Sequence, residues 1–548
     1  MKTPYYLVLF FFIFLSQMAL GQMEFVERLE VEVKFQENDF MIIKRPSGVL
    51  AFRAQPERGF NLRSKFQYFS ADYGLQATPT KEINIKENFD LVGYDLEGDF
   101  FYALMQKGSA SNSEKYLIEI NLETDEANEF PLENIYPMDF KEFFVLNRHA
   151  VFLGNAEMRP ILQIYNISDN DVYTVQGIYG KETLVLQLRK DSELEIIDVL
   201  ISRRDKYKQK QVSVLSFDVL GNKIREVVIE KLDESNMEIV EGLLTPIEDF
   251  QQSVIGTYGQ KRREAYQGIY IADINEFGEY VLKYYTMEDF PNFYNYLNEK
   301  QRERKWKELE KQFEKGKSPS LKPVFSSREI ITTDKGYLVY NDHFTATNPR
   351  YIPRDGVYAN DAYRFNPNRL YFDGMNYGPA YGSQLFNTAR YSPFPWQYEG
   401  EYKFISAYFL YIGKEGQVIW DNAFNLSNKS TNIPGKYGEV SFDGSKLHYL
   451  YMDGIQLYMS YLKDGEVIFE NKSFDIELTN ENERIRETQE TSLNLSWWYD
   501  DYFLLSGKQK IRFINDGGRD EVREVYFLTK IKVDGDKYVP EEDENESN

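Results

Sequence analysis

The chain contains no cysteine in 548 residues and only three histidines. The first absence excludes a disulfide framework, a thiol nucleophile, a thiolate metal site and a lipid-modified cysteine; the second leaves little for metal binding. No metal and no cofactor is therefore expected. Basic charge is also scarce, with 64 Lys and Arg against 87 Asp and Glu, a formal net charge of −23. That balance argues against nucleic acid as a partner, because phosphate contacts need a positive field. The patterns GxSxG, HExxH and GxxxxGK are missing, so no common hydrolase, metalloprotease or nucleotide-binding motif is present. After the first 21 residues no apolar run is long enough to cross a bilayer.

What is present begins at the N-terminus. Lys2, the apolar run Leu7 to Leu15 and Ala19-Leu20-Gly21 follow the order of an export signal. Residues 1–21 are thus expected to be removed and the protein secreted or held in the periplasm or cell envelope. The run is too short for a membrane anchor, and polar Ser16 and Gln17 follow it. An exported chain without disulfides depends on its core, and 42 Tyr and 40 Phe supply one suited to strands. Residues 541–548, nearly all acidic or polar, read as a disordered, solvated tail.

Residues 22–540 carry one recurring pattern: an alternating apolar strand, a tight turn with Asp, Asn or Gly, and a second alternating strand. Matched positions just before the turn are Ile120, Tyr165, Phe217, Ala272, Ile412, Leu462 and Lys532, at separations of 45, 52, 55, 140, 50 and 70 residues. The long gap shrinks to about 50 once insertions at 287–320 and 345–402 are set aside. Each hairpin follows two further apolar strands, such as DLVGYDL and DFFYALMQK from Asp90, so the unit is a four-stranded meander. An earlier unit between Phe40 and Ile85 raises the count to eight, or seven if one unit is misread. A chain of such meanders resembles a β-propeller, an all-β fold, and carries no signature of a particular propeller family. The blades are expected to have first strands that include Met41 to Lys44, Leu91 to Tyr94, Phe143 to Leu146, Leu184 to Leu188, Gly242 to Thr245, Glu329 to Thr332, Glu439 to Phe442 and Leu493 to Trp497. The leftover strand Phe25 to Phe35 is expected to pair with the last blade near Val525 to Val539.

In such a meander the connection from second to third strand and the connection to the next blade leave on the same side. Both insertions are connections of these kinds, so they are expected to share a working face. Residues 287–320 read as a helix: Thr286 and Asp289 form a capping box, Phe290, Phe293, Tyr294 and Leu297 one apolar stripe, and Trp306, Leu309 and Phe313 another. The loop 345–402 is crowded with rings, and Tyr377, Tyr381, Tyr391, Trp396 and Tyr398 are candidates to stack on a sugar or anchor a protein. Two basic connections, with Arg203, Arg204, Lys206, Lys208 and Lys210 in one and Lys261, Arg262 and Arg263 in the other, could hold an anionic partner.

Acid–base chemistry has a narrow foothold. Asp342 and His343 end a strand where the aromatic loop begins, and with Asp355 and Asp361 they could supply the carboxylate pair that glycoside cleavage requires. The function expected is a non-enzymatic exported propeller that binds a protein or glycan partner through the insertion face. The alternative is a glycan-cleaving enzyme using carboxylates on that face.

Overall fold

The computed structural model describes residues 22–55, 64–108, 110–157, 159–204, 210–229, 237–260, 266–316, 319, 324–346, 402–431, 436–480, 482–515 and 517–539. The chain is an all-β propeller of eight four-stranded antiparallel blades. Their first strands are Met41–Arg45, Phe89–Glu97, Asp139–Leu146, Leu184–Asp191, the pair Met237–Ile239 and Leu243–Leu244, Val324–Thr333, Glu439–Phe442 and Arg484–Tyr499. The count of eight agrees with the sequence period, and each first strand overlaps the segment expected for it. The first strand of the fifth blade is split: Val240 to Gly242 interrupt it, and both Val240 and Glu241 donate their N–H to the Thr257 carbonyl. Gly256 on the adjoining strand lies against the Glu241 carbonyl, where any Cβ would collide.

The chain divides into two compact units. The larger, 36–439 with 464–466, holds blades one to six. The inner strands of blades two to five are apolar on both sides because each of these sheets is covered by a neighbour on each face. In the second blade, Phe101, Ala103 and Met105 join a cluster with Phe52 and Phe66 of the first blade. The alternate residues Tyr102 and Leu104 pack with Phe143 and Phe152 of the third. Equivalent clusters join blades three and four, and four and five.

The turns between third and fourth strands act as latches. A Cβ at Gly221 would come within 3.4 Å of Val175 of blade three, and one at Gly278 within 3.4 Å of Val227 of blade four. The Tyr285 hydroxyl donates to the Gly416 carbonyl at 2.7 Å, and the Asn422 amide donates to the Gly465 carbonyl at 2.9 Å. These four glycines have φ between 78° and 87°, so they serve the turn and the close approach together.

The smaller unit, 22–35, 440–463 and 467–539, holds most of blade seven and all of blade eight. Its outermost strand in blade eight is Met23–Glu32, antiparallel to Asp520–Val533 with Phe25 opposite Ile531. The leftover N-terminal strand therefore pairs where its sequence implied. His448 is buried here, accepts a hydrogen bond from the Gly535 N–H at 3.1 Å and stacks on Tyr461 at 4.7 Å. Burial lowers its pKa to about 4, so it is a neutral packing residue.

The helix of the first insertion is shorter than its sequence implied. The capping box forms, with Thr286 N–H donating to Asp289 at 2.7 Å, but it closes only a three-residue 3-10 turn, Met287–Asp289. Phe290 precedes Pro291 and adopts φ −120°, ψ 68°, since proline disfavours the helical conformation in the residue before it. The helix α1, Glu299–Phe313, starts only after Asn298, whose side chain accepts from the Gln301 N–H at 3.0 Å.

Candidate functional site

The first insertion packs on blade six, whose strands span 324–431. Between the 3-10 turn and α1 the chain lays its aromatic residues on that blade. Phe290 and Phe293 are buried; the Phe293 ring lies 5.1 Å from Tyr408, 5.7 Å from Phe325 and 5.9 Å from His343. Tyr296 also packs on His343 at 5.8 Å, next to Phe293, and Tyr294 meets Trp306 of α1 edge-on at 5.6 Å. Leu309 is the buried residue of the helix, and Arg302 donates to Asn295 at 2.9 Å. The apolar stripe read as helical thus docks, although most of it lies before the helix.

Polar contacts fix the docking at Asp421, on the outermost strand Val418–Thr431. Its carboxylate accepts from the Asn292 N–H at 3.1 Å and from the Tyr408 hydroxyl at 3.2 Å, while the Asn292 amide donates to its carbonyl at 3.1 Å. Burial pushes the Asp421 carboxyl up to about 6, against the pull of the Asn292 and Tyr408 bonds. A folded pKa above the ordinary 3.8 means that the native state binds the extra proton, so this group's contribution to stability is lost as pH rises through about 6. Asp421→Asn should therefore gain on the wild type between about pH 4 and pH 7, by about 3 kcal/mol for a shift of roughly two pKa units. Denaturant unfolding of both proteins across that range checks it; a pH-independent difference would contradict the assignment.

Asp342 and His343, adjacent in the strand Gly336–Ala346, point to opposite faces of blade six and both are buried. Asp342 pairs with Arg328 at 2.9 Å and also accepts from the Tyr340 hydroxyl at 2.7 Å and the Tyr437 N–H at 3.2 Å. Its pKa is raised by burial, with Arg328 opposing the shift. His343 is enclosed by Phe293 and Tyr296, with Ser406 Oγ 3.4 Å from Nδ1. Asp355 and Asp361 lie outside the described residues, as do Tyr377, Tyr381, Tyr391, Trp396 and Tyr398 and the rest of the aromatic loop.

Of the basic connections, Lys206, Lys208, Lys261, Arg262 and Arg263 also lie outside the described residues. Arg203 pairs with Glu226 at 2.8 Å and Arg204 with Glu238 at 3.4 Å. The ammonium of Lys210 donates to the Val240 carbonyl at 3.1 Å.

Sequence reasoning missed a second set of charges, on and beside the first strands. Lys190 of blade four reaches Asp95 of blade two at 2.6 Å and the Val145 carbonyl of blade three at 3.3 Å, linking three blades. Lys436 pairs with Glu329 at 2.8 Å and Glu439 at 3.1 Å. Lys44 of blade one is buried within the influence of the same acids, and its pKa is lowered to about 7, chiefly by burial. The signal for these residues was a charge embedded in an apolar strand, as in MIIKR or VGYDL.

No known protein family matches the sequence, and no curated protein matches it either. Solved structures similar in fold include the Dos1 propeller, at 8% identity and TM-score 0.38, covering 82% of this chain and 93% of that one. The polysaccharide lyase Uly1 aligns at 8% identity and TM-score 0.37, covering 92% and 99%. The β-propeller domain of the Trilobed protease from Pyrococcus furiosus, described as having an open velcro topology, aligns at 7% identity and TM-score 0.33, covering 80% and 98%. At these identities the likeness concerns the fold alone and assigns no activity.

Proposed function

We propose that the chain is an exported, non-catalytic propeller that binds a protein or glycan partner through the side from which its two insertions leave. The observation that carries this reading is the docked insertion. Its apolar side and Asn292 are committed to blade six, which holds α1 in a set position with its charged surface toward solvent. Function concentrates on connections held by a rigid scaffold, and fixing such a connection lowers the entropy lost on binding. The two described acid–base candidates are occupied otherwise, Asp342 by Arg328 and His343 by aromatic rings.

Replacing residues 296–316 by a short Gly-Ser linker tests the reading. The purified protein should bind a component of its native envelope or a glycan panel, and the replacement should weaken that binding by tenfold or more without loss of the blades, checked by circular dichroism. Unchanged binding would place the contact elsewhere. Release of new reducing ends from any glycan by the intact protein would favour the cleaving enzyme instead.

A further inference from the structure

The end of blade five opposite the insertions holds two phenylalanines in solvent: Phe277 is 80% exposed and Phe250 67%. They lie at that end because successive strands of a blade run antiparallel, so first-to-second and third-to-fourth turns leave on one side and the insertions on the other. Phe250 belongs to a two-residue turn in which Glu248 and Gln251 exchange both backbone hydrogen bonds, at 3.0 and 2.8 Å. Asp249 and Phe250, the residues between them, have φ of 50° and 61°. Glycine suits the second place in such a turn; a bulky ring is strained there and, being exposed, recovers nothing from packing. A strained residue that the fold does not use points to a use outside the fold.

Phe277 is held by a different turn. Asn275 Oδ1 accepts from the N–H groups of Phe277 at 3.0 Å and Glu279 at 2.9 Å. Blade four repeats the arrangement, with Asp218 Oδ1 accepting from Leu220 at 2.9 Å and Asn222 at 2.8 Å, and Leu220 stands exposed in the place of Phe277. The three turns, 218–222, 248–251 and 275–279, also contain Asp218, Glu248, Asp249, Glu276 and Glu279 and no cation. Lys223, the residue after the first turn, pairs with Glu226, and Lys414 of blade six pairs with Glu248 at 3.7 Å. Apolar side chains therefore stand on fixed tips among carboxylates.

This combination selects the occupant. An anionic leaflet or a nucleic acid is repelled by the acids beside each ring. Sugars stack on Tyr and Trp, whose polar tips reach hydroxyls; Phe and Leu have no such tip. A second copy of the chain would set carboxylates against carboxylates. What remains is a protein surface that is apolar at the contact and basic at its border. The turns of Phe250 and Phe277 are two strand spacings apart, roughly 10 Å, which matches residues i and i+7 of a helix at about 10.5 Å. We propose that this end of blades four and five docks an amphipathic helix of a partner protein whose apolar face is edged by Lys and Arg, a contact separate from the insertion side.

The probe is a synthetic amphipathic helix of Leu and Lys, compared with its Leu and Glu counterpart and with phosphatidylcholine–phosphatidylglycerol vesicles, by calorimetry on the intact protein. The Leu–Lys helix should bind, more weakly as salt rises, and neither comparison should. Phe277→Ser should lower its affinity at least tenfold. Phe250→Gly should lower it severalfold while leaving the melting temperature equal or higher, because glycine relieves the turn. Replacement of residues 296–316 should leave this binding unchanged, which separates the contact from the one proposed above. Full binding by Phe277→Ser, equal binding of the Leu–Glu helix or the vesicles, or a lower melting temperature for Phe250→Gly would overturn the proposal.

Discussion

Deleting residues 22–33 is expected to unfold the smaller unit while the larger unit retains its blades. The strand Met23–Glu32 is the fourth strand of blade eight, and nine residue pairs join it to Asp520–Val533. Without it, Tyr526, Leu528 and their neighbours would present an open, largely apolar edge, a template for aggregation. Side chains reinforce the ladder. Arg28 stacks on Phe527 at 4.3 Å and donates to Glu30 at 2.7 Å, Gln509 at 2.8 Å and Thr529 at 3.3 Å. Glu30 also accepts from Arg523, which pairs with Glu483. Since the Arg28 side chain is 2% exposed, Arg28→Ala should by itself cost about 3 kcal/mol, because it leaves these partners desolvated and unmatched. Limited proteolysis should cut the deletion protein within 440–539 and leave a resistant fragment spanning 36–439. A synthetic peptide of residues 22–35 should restore protection. A deletion protein as resistant as the parent would show that the strand is dispensable.

A comparable loss is expected at Asp342, where it also separates a structural carboxylate from a catalytic one. Asp342 and Arg328 each have fully buried side chains, and the Arg328 guanidinium lies 5.1 Å above the Phe344 ring. Asp342→Ala would strand a cation with no water to solvate it, at about 3 to 5 kcal/mol. The double variant Asp342→Leu, Arg328→Met replaces the pair by apolar groups of similar bulk and should recover most of that loss. Denaturant midpoints of the singles and the double complete the cycle. A double variant no better than Asp342→Ala would reject the ion-pair account. A catalytic carboxylate predicts the opposite pattern, with stability nearly untouched and an activity that no apolar pair could restore.

Several features were legible without coordinates because they follow from local rules. A period-two apolar pattern broken by turn residues specifies strands and hairpins, and its recurrence near 50 residues specifies blades. The strand that follows residues 1–21 had no partner in its own neighbourhood, so pairing with the last blade was the available solution. Helix α1 was legible in type but not in start, since a favourable capping box at Thr286 was overruled by Pro291 five residues later.

Only the tertiary structure decided the use of individual polar groups. Nothing local distinguishes Asp342 at a loop mouth from a catalytic acid; its role follows from Arg328, fourteen residues away on the paired strand. Lys190 and Asp95 are 95 residues apart, and Asp421 meets Asn292 across 129 residues. Hydrophobic pattern is written residue by residue, so the chain by itself determined which segments become strands and how they group into blades. Charge pairing depends on distance and desolvation between segments remote in sequence. Which carboxylates are buried counter-ions, and which cations remain on the surface of α1, was therefore settled only when the blades came together.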